Sequence, residues 1–270
     1  FYERALEEDS LLAIAAARGA TAAVWEEQHR EALSLADRAV RLGGDLPERY
    51  QRFVQGVRGY LAGELPVARE NLEAALELEP NWPEAETALG EAYYHLLPSD
   101  IDPMSRSLEI FRDLADRHPE FTPPLLHLAE SAIRREDLAS ARGLIAQIER
   151  ASGPDRPTVA RLNRMVACVE EDEAAPEAWA RLATAHPEEV MTAALALAAG
   201  GAQPICAEQA LLAMLELGGE WAWGSTLALQ SLWIGEGRVE ETLALLEESF
   251  SEGLGGIHPL YVFDAGICGA

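Results

Sequence analysis

The chain has 270 residues and a formal net charge of −25 at pH 7, and all 21 of its basic residues are arginine. So strong an acidic balance argues against binding to nucleic acid or to an anionic membrane surface, since both need positive charge on the protein. Without lysine there is no phosphate-loop lysine, no Schiff base with a cofactor and no kinase-type nucleotide lysine. The same charge either keeps long helices soluble or attracts a basic partner.

Helix start and stop signals divide the chain into about seven helical hairpins and two terminal half-hairpins. The second helix of the first hairpin ends at Gly43-Gly44, Gly63 makes the turn of the second hairpin, and Pro66 opens the helix that follows. The hairpins are predicted at 13–46, 47–82, 83–121, 122–155, 156–189, 190–222 and 223–256, with partial helices at 1–10 and 257–270. Both ends therefore look cut from something longer.

Three segments depart from this regular pattern. The turn of the third hairpin, residues 97–103, is longer than the others. Insertions of this kind are common in functional loops, and the alternative is a tolerated insertion of no consequence. The sixth hairpin, 190–222, matches the pattern least. The uncharged stretch 190–207 is broken by glycine and proline, so we read it as a buried helix, a turn and the start of a second helix, and not as a membrane span.

One motif returns about every 34 residues on the second helices. In the second hairpin it consists of Ala68, Leu72, Ala75 and Pro80, at offsets of four, seven and twelve. The offsets return at Ala32, Ala36 and Ala39, at Ser107, Phe111, Leu114 and Pro119, at Ala141, Ile145 and Ile148, at Ala175, Trp179, Leu182 and Pro187, and at Thr242, Leu246 and Ser249. Repetition at this period predicts hairpins that bury their apolar faces only against their neighbours.

These positions resemble the tetratricopeptide repeat. Leu89-Gly90 with Tyr93 is similar to the first helix of that repeat, and the run from Gly63 to Pro80 is similar to its turn and second helix. The resemblance covers nearly the whole chain. It implies an all-α fold, with residues 1–270 forming one right-handed superhelical solenoid whose first helices line a concave groove.

The resemblance also implies which side chains face that groove. They are Gln51, Gln55, Arg58, Thr87, Glu91, Tyr94, His95, Glu130, Arg134 and Arg164. Such a polar, mixed-charge surface with aromatic edges suits an extended or helical protein segment, with a basic one among the candidates. The alternative for each residue is an ordinary solvated helix position. A carboxylate clamp of the chaperone-binding kind is not expected, because lysine is absent.

A narrower resemblance leaves a second function open. The segments 25–42, 89–95 and 121–128 are similar to arrays attached to bacterial serine/threonine protein kinases. On that interpretation the chain is a regulatory or sensor module of a larger signalling protein, either a kinase or a transcriptional activator. The first hypothesis remains a non-catalytic scaffold that binds protein.

No catalytic, cofactor or metal site is predicted. The six histidines show no pair at metal-binding spacing, and the glycine-rich run 253–256 lacks the lysine of a phosphate loop. The three cysteines, Cys168, Cys206 and Cys268, are odd in number and far apart. We therefore expect small core residues and no disulfide. The compartment is not determined by the sequence, although the cytoplasm is preferred.

Overall fold

The structure is a computed structural model that describes residues 12–25, 29–96, 103–153, 157–170, 175–185, 187–198 and 205–251. Contact density divides the chain into two compact units, Phe1–Arg117 (unit 1) and His118–Ala270 (unit 2), which we describe separately. Unit 1 contains α1 (Ala13–Trp25), α2 (His29–Leu42), α3 (Glu48–Leu61), α4 (Leu65–Leu78), α5 (Pro83–His95) and α6 (Pro103–Arg117). Unit 2 contains α7 (Pro123–Arg134), α8 (Leu138–Ser152), α9 (Pro157–Val169), α10 (Ala175–Ala185), α11 (Pro187–Ala198), α12 (Ile205–Leu215), α13 (Gly219–Gly235) and α14 (Val239–Ser251).

The prediction of an all-α protein is confirmed for the described residues, which contain no strand. A single 3₁₀ turn, Gly43–Asp45, follows α2 where the glycine pair was expected to end the helix. The predicted hairpins match the helices in pairs, but α11 begins at Pro187, three residues before the predicted sixth hairpin, and α13 begins at Gly219, four residues before the predicted seventh. The long turn at 97–102 and both terminal half-helices lie outside the described residues. The expectation of one continuous array across both units stays a prediction.

In unit 1 the helices pair in chain order. The extensive contacts are those of α1 with α2, α3 with α4 and α5 with α6. The first helices of successive pairs also touch, α1 with α3 and α3 with α5. The three first helices therefore lie side by side, and they form one face of unit 1 that we call the first-helix face.

The repeated motif marks the places where paired helices come closest. Ala68, Leu72 and Ala75 have no exposed surface, and an added Cβ at Gly59 would lie 2.7 Å from the backbone nitrogen of Ala68. A Cβ at Gly90 would lie 2.4 Å from the Phe111 ring in the third pair. Small residues on one helix thus admit the backbone or a large side chain of the other, which explains why the motif recurs.

Hairpins in both units share one turn geometry. Gly63, Glu136 and Gly237 all have a left-handed backbone, with φ of 75°, 58° and 76°. In each turn the amide of the following residue donates to a carbonyl five residues earlier, as from Glu64 to Gly59 at 2.8 Å. This is the Schellman arrangement that ends helices at a left-handed residue. The turn predicted at Gly63 is therefore confirmed.

Unit 2 begins regularly and then departs from this pattern. Helices α7 and α8 pair as in unit 1, and the first helices α7, α9, α11 and α13 touch in succession. Helix α10, however, barely contacts its expected partner α9 and packs mainly on α12, while α11 also reaches back to α7. The fifth predicted hairpin is thus wrong as a packing unit, although its two helices exist.

Large side chains fill the second half of unit 2. Trp223 and Trp233 on α13 are buried, and Gly224 between them packs against Met191 of α11. Arg238, at the turn into α14, donates to Glu208 of α12 at 2.7 Å and covers the Trp233 ring at 4.7 Å from its centre. The tryptophans are therefore core residues, and Arg238 joins the last hairpin to α12.

The expectation that no disulfide forms was wrong. Cys168, near the end of α9, is bonded to Cys206, at the start of α12, and their Cα atoms are 5.9 Å apart. That separation lies within the usual range for a disulfide. Both residues are buried, as predicted for core cysteines, but 38 positions separate them and their spacing gave no sign of the pairing. Cys268 lies outside the described residues.

Candidate functional site

The first-helix face of unit 1 contains a small apolar cavity of about 20 Å³. Its floor is made by buried residues of α3 and α5, and half-buried side chains of α1 and α3 stand at its mouth. The lining residues are Thr21, Val24, Val57, Tyr60, Leu61, Thr87, Ala88 and Glu91. A space of this size holds about one water molecule or a methyl-sized group, so it cannot enclose a substrate or an organic cofactor.

Two of the predicted groove residues, Thr87 and Glu91, line this cavity, and neither is an ordinary solvated position. Both are buried, at 6% and 7% exposure. The Thr87 hydroxyl donates to the Pro83 carbonyl at 2.7 Å, which satisfies it within its own helix. Its methyl group is left to contribute apolar surface, and Glu91 supplies the charge beside the cavity.

His95 and Tyr94, also predicted, extend this site along α5. The His95 Nε2 atom lies 3.3 Å from a carboxylate oxygen of Glu91, and the His95 ring lies between the rings of Tyr60 and Tyr94 at 6.3 and 5.0 Å. Tyr94 itself is buried and is 6.2 Å from Phe111. Thr87, Glu91, Tyr94 and His95 therefore form one connected group with the cavity.

The three predicted residues on α3 lie outside the cavity. Gln51 donates to the carbonyls of Gly44 and Leu46, at 3.0 and 2.6 Å, and so anchors the turn before its own helix. Arg58 is hydrogen-bonded to Glu64 at 2.8 Å and to Asp37 at 3.3 Å, and these partners raise the pKa of its guanidinium, Glu64 most strongly. Gln55 is exposed.

In unit 2 the predicted residue Glu130 belongs to a buried ion cluster. Its carboxylate is 3.3 Å from His127 Nδ1 on the same helix and 3.3 Å from Arg161 on α9. Burial alone would raise the pKa of Glu130, but the hydrogen bond with His127 and the charges of Arg161 and Arg134 outweigh it, so the pKa falls to about 2. The carboxylate is thus ionised and held by cations of the protein itself.

The other two predicted residues in unit 2 are less open than a groove position requires. Arg134 is buried at 9% exposure, near the charge of Glu130. Arg164 is half-buried, and its backbone carbonyl accepts a hydrogen bond from the Trp179 indole at 3.3 Å. The cluster around Glu130 therefore joins α7 to α9.

Sequence reasoning missed three kinds of residue in these sites. The cavity residues Val57 and Tyr60 were not among the predicted groove residues, because an apolar stripe does not show which part of it stays open. His127 stands three positions before Glu130, a spacing that can pair two side chains on a helix, and this signal was available. Arg161 carried no such signal, since its partner is on another helix.

No protein-family model matches the chain, and none of the curated proteins is significantly similar to it. In the part of the chain that the structure describes, no helix has both the length and the apolar character needed to cross a bilayer.

Proposed function

We propose that this chain is a non-catalytic interaction scaffold of the tetratricopeptide type, a right-handed solenoid that binds a protein segment along the first-helix face. The observation that carries the proposal is the side-by-side arrangement of α1, α3 and α5 around a cavity of about 20 Å³. That cavity fits one small apolar side chain of a partner, with Tyr60 and Val24 at its mouth.

The polar groups around the cavity favour binding over chemistry. Thr87 and Glu91 already have partners in the protein, Pro83 and His95. An active site needs a nucleophile or a base that can reach a substrate held in a pocket, and a pocket of this size cannot hold one. A surface that anchors one side chain of a segment and contacts the rest of it through the helix positions around the cavity fits peptide recognition.

The partner that suits this surface is an extended or helical segment with positive charge. The net charge of −25 raises the local concentration of basic partners and speeds their association. One small side chain, such as alanine or valine, would enter the cavity. Its neighbours would lie along α3 and α5, where half-buried Tyr60 borders the cavity and the Glu91 carboxylate supplies negative charge.

The test uses the full chain and a displayed library of random twelve-residue peptides, from which binders are selected and remade with a fluorescent label. Two variants introduce the same side chain at different places. Val24→Arg puts a long charged side chain at the cavity mouth, whereas Val67→Arg changes an exposed position on α4, away from the cavity. Fluorescence anisotropy then gives each dissociation constant.

We expect Val24→Arg to weaken the selected peptides at least tenfold and Val67→Arg to change them less than twofold. The peptides should also lose affinity as salt rises, because opposite charges attract over a shorter range at high ionic strength. If both variants bind equally well, or if Val67→Arg is the one that loses binding, the first-helix face is not the docking surface and the proposal fails.

A further inference from the structure

The disulfide of unit 2 joins two helices that otherwise scarcely meet. Cys168 lies on the last turn of α9 and Cys206 on the first turn of α12, and the two helices share only a small contact. Helix α9 also barely touches α10, which follows it in the chain. The covalent bond is therefore the main direct connection between α9 and the α10–α12 pair.

The bond encloses the irregular part of the unit. The loop that it closes spans 38 positions and contains α10 and α11. These are the helices that leave the regular hairpin order, since α10 packs on α12 and α11 reaches α7. A cross-link that closes a loop of this length stabilises the folded state chiefly by restricting the unfolded chain.

We propose that Cys168–Cys206 is a redox-sensitive clasp that holds unit 2 closed at the junction of α9 and α12. With the bond formed, the end of α9 stays against the start of α12. With the bond reduced, only the small α9–α12 contact remains, and the junction opens more often than the rest of the unit. The proposal concerns unit 2 alone and does not depend on peptide binding by unit 1.

The chemistry requires a dithiol reductant. A thiolate of the reductant attacks one cysteine sulfur, the S–S bond breaks, and a mixed disulfide forms while the other cysteine leaves as a thiolate. The second thiol of the reductant then displaces the remaining cysteine sulfur. In total the reductant is oxidised to its own disulfide, the protein disulfide is reduced to two thiols, and two protons pass from the reductant to the protein.

Burial sets how fast this exchange occurs. Cys168 and Cys206 are only 3% and 2% exposed, so a reductant reaches the bond after the junction has opened locally. The bond therefore persists in mild reductant while unit 2 is closed. Reduction speeds up under any condition that opens the junction, and this makes the clasp a sensor of the state of unit 2.

The experiment compares the oxidised full chain with the same sample after treatment with dithiothreitol. Alkylation before and after reduction, followed by peptide mass spectrometry, identifies the linked pair. Hydrogen exchange should rise at residues 165–169 and 205–209 on reduction and stay unchanged in α3 and α4 of unit 1. The thermal midpoint should fall by about 10 °C, because reduction removes the cross-link. Tryptophan fluorescence reports this change, since four of the six tryptophans belong to unit 2.

Two variants separate the clasp from general effects of reductant. Cys268→Ser keeps the clasp and should show the full response to dithiothreitol. The double variant Cys168→Ser/Cys206→Ser should behave as the reduced protein in both conditions, and if it does not fold, the wild-type comparison alone decides. A link from Cys268 to either partner, three free thiols after oxidation, or identical exchange in the two states would each overturn the proposal.

Discussion

Units 1 and 2 bring their helices together by different means. In unit 1 the close contacts are made by glycine and alanine, so that Gly59 meets the backbone at Ala68 and Gly90 meets the ring of Phe111. Described residues of unit 2 use larger and more polar groups, namely the ion cluster at Glu130, the tryptophans of α13 and a disulfide. The first arrangement repeats along the chain, and the second occurs once.

This difference shows that a repeated hairpin can be copied only while the small residues at its close contacts are kept. A hairpin held by small residues at fixed offsets can be copied, because each copy has the same helix separation. Where α10, with its buried Trp179, packs on α12 and not on α9, this helix separation is not kept. The helix that follows then contacts a different partner. We therefore expect added side-chain volume to lower the stability of unit 1, and loss of a charge or of the cross-link to lower the stability of unit 2.

The largest expected effect is that of Glu130→Ala in unit 2. Removing this carboxylate takes away the ion-pair partner that buried His127 and Arg161 share, which costs about 3–5 kcal/mol of unfolding free energy. Urea denaturation followed by tryptophan fluorescence measures it. The matched control is Glu177→Ala, which removes an exposed ion pair with Arg181 on α10 and should cost about 0.5 kcal/mol or less.

A loss at Glu130→Ala no larger than that of the control would show that the cluster is hydrated and that unit 2 does not depend on it. The variant Glu130→Gln keeps the size of the side chain and removes its charge. It should lie between wild type and Glu130→Ala, since the amide still accepts a hydrogen bond from either partner.

The low pKa of the Glu130 carboxylate predicts how the stability of unit 2 changes at acid pH. The pKa of Glu130 is about 2 in the folded protein and near the ordinary value of 4.5 once unfolded. Because the folded value is the lower one, its contribution is complete above pH 4.5 and is lost as the pH falls from there towards 2. The loss amounts to about 3 kcal/mol, and urea titrations between pH 6 and 2.5 should show it.

Glu130→Gln is the control for the acid effect, since a glutamine does not titrate. Its unfolding free energy should fall less steeply below pH 4.5 than that of the wild type. Parallel pH profiles of the two proteins would assign the acid sensitivity to other carboxylates and would contradict the low pKa.

The features that could be predicted from the sequence are mainly those of unit 1. The offsets of Ala68, Leu72 and Ala75 located the hairpins of unit 1, because packing between neighbours in the chain leaves a local pattern. The turn at Gly63 was equally visible, since a left-handed turn favours glycine.

The remaining features depend on contacts between distant parts of the chain. Helix α10 carries the motif at Ala175, Trp179 and Leu182, yet it packs on α12. Its own sequence does not indicate that α12 is its packing partner. The pairing of Cys168 with Cys206 and of Arg161 with Glu130 is distant in the same way. Of the predicted groove residues, Thr87, Glu91, Tyr94 and His95 come together at one site. Gln51 instead binds the turn before α3, and Arg58 binds Glu64 in the turn after α3 and Asp37 of α2.

A smaller effect on stability is expected where a glycine is replaced by alanine, and its sign should differ between the two units. Gly59→Ala places a methyl group 2.7 Å from the Ala68 nitrogen, and because backbone cannot rotate away, the two helices must separate at a cost of about 1–3 kcal/mol. Gly143→Ala on α8 meets no atom within 4 Å and should stabilise unit 2 by about 0.5–1 kcal/mol. Hydrogen exchange resolved by peptide assigns each change to its unit, and equal signs for the two variants would refute this account.

The smallest expected effect concerns the turn that recurs in both units. Glu136 has φ of 58° although it carries a side chain, so Glu136→Gly should relieve backbone strain and stabilise the turn between α7 and α8 by up to about 1 kcal/mol. Gly237→Ala makes the opposite change in the matching turn between α13 and α14, where no neighbouring atom would obstruct a Cβ, and should destabilise it by about 1 kcal/mol. Urea denaturation measures both. If the two substitutions shift stability in the same direction, backbone conformation does not control these turns, and the shared geometry has no energetic consequence.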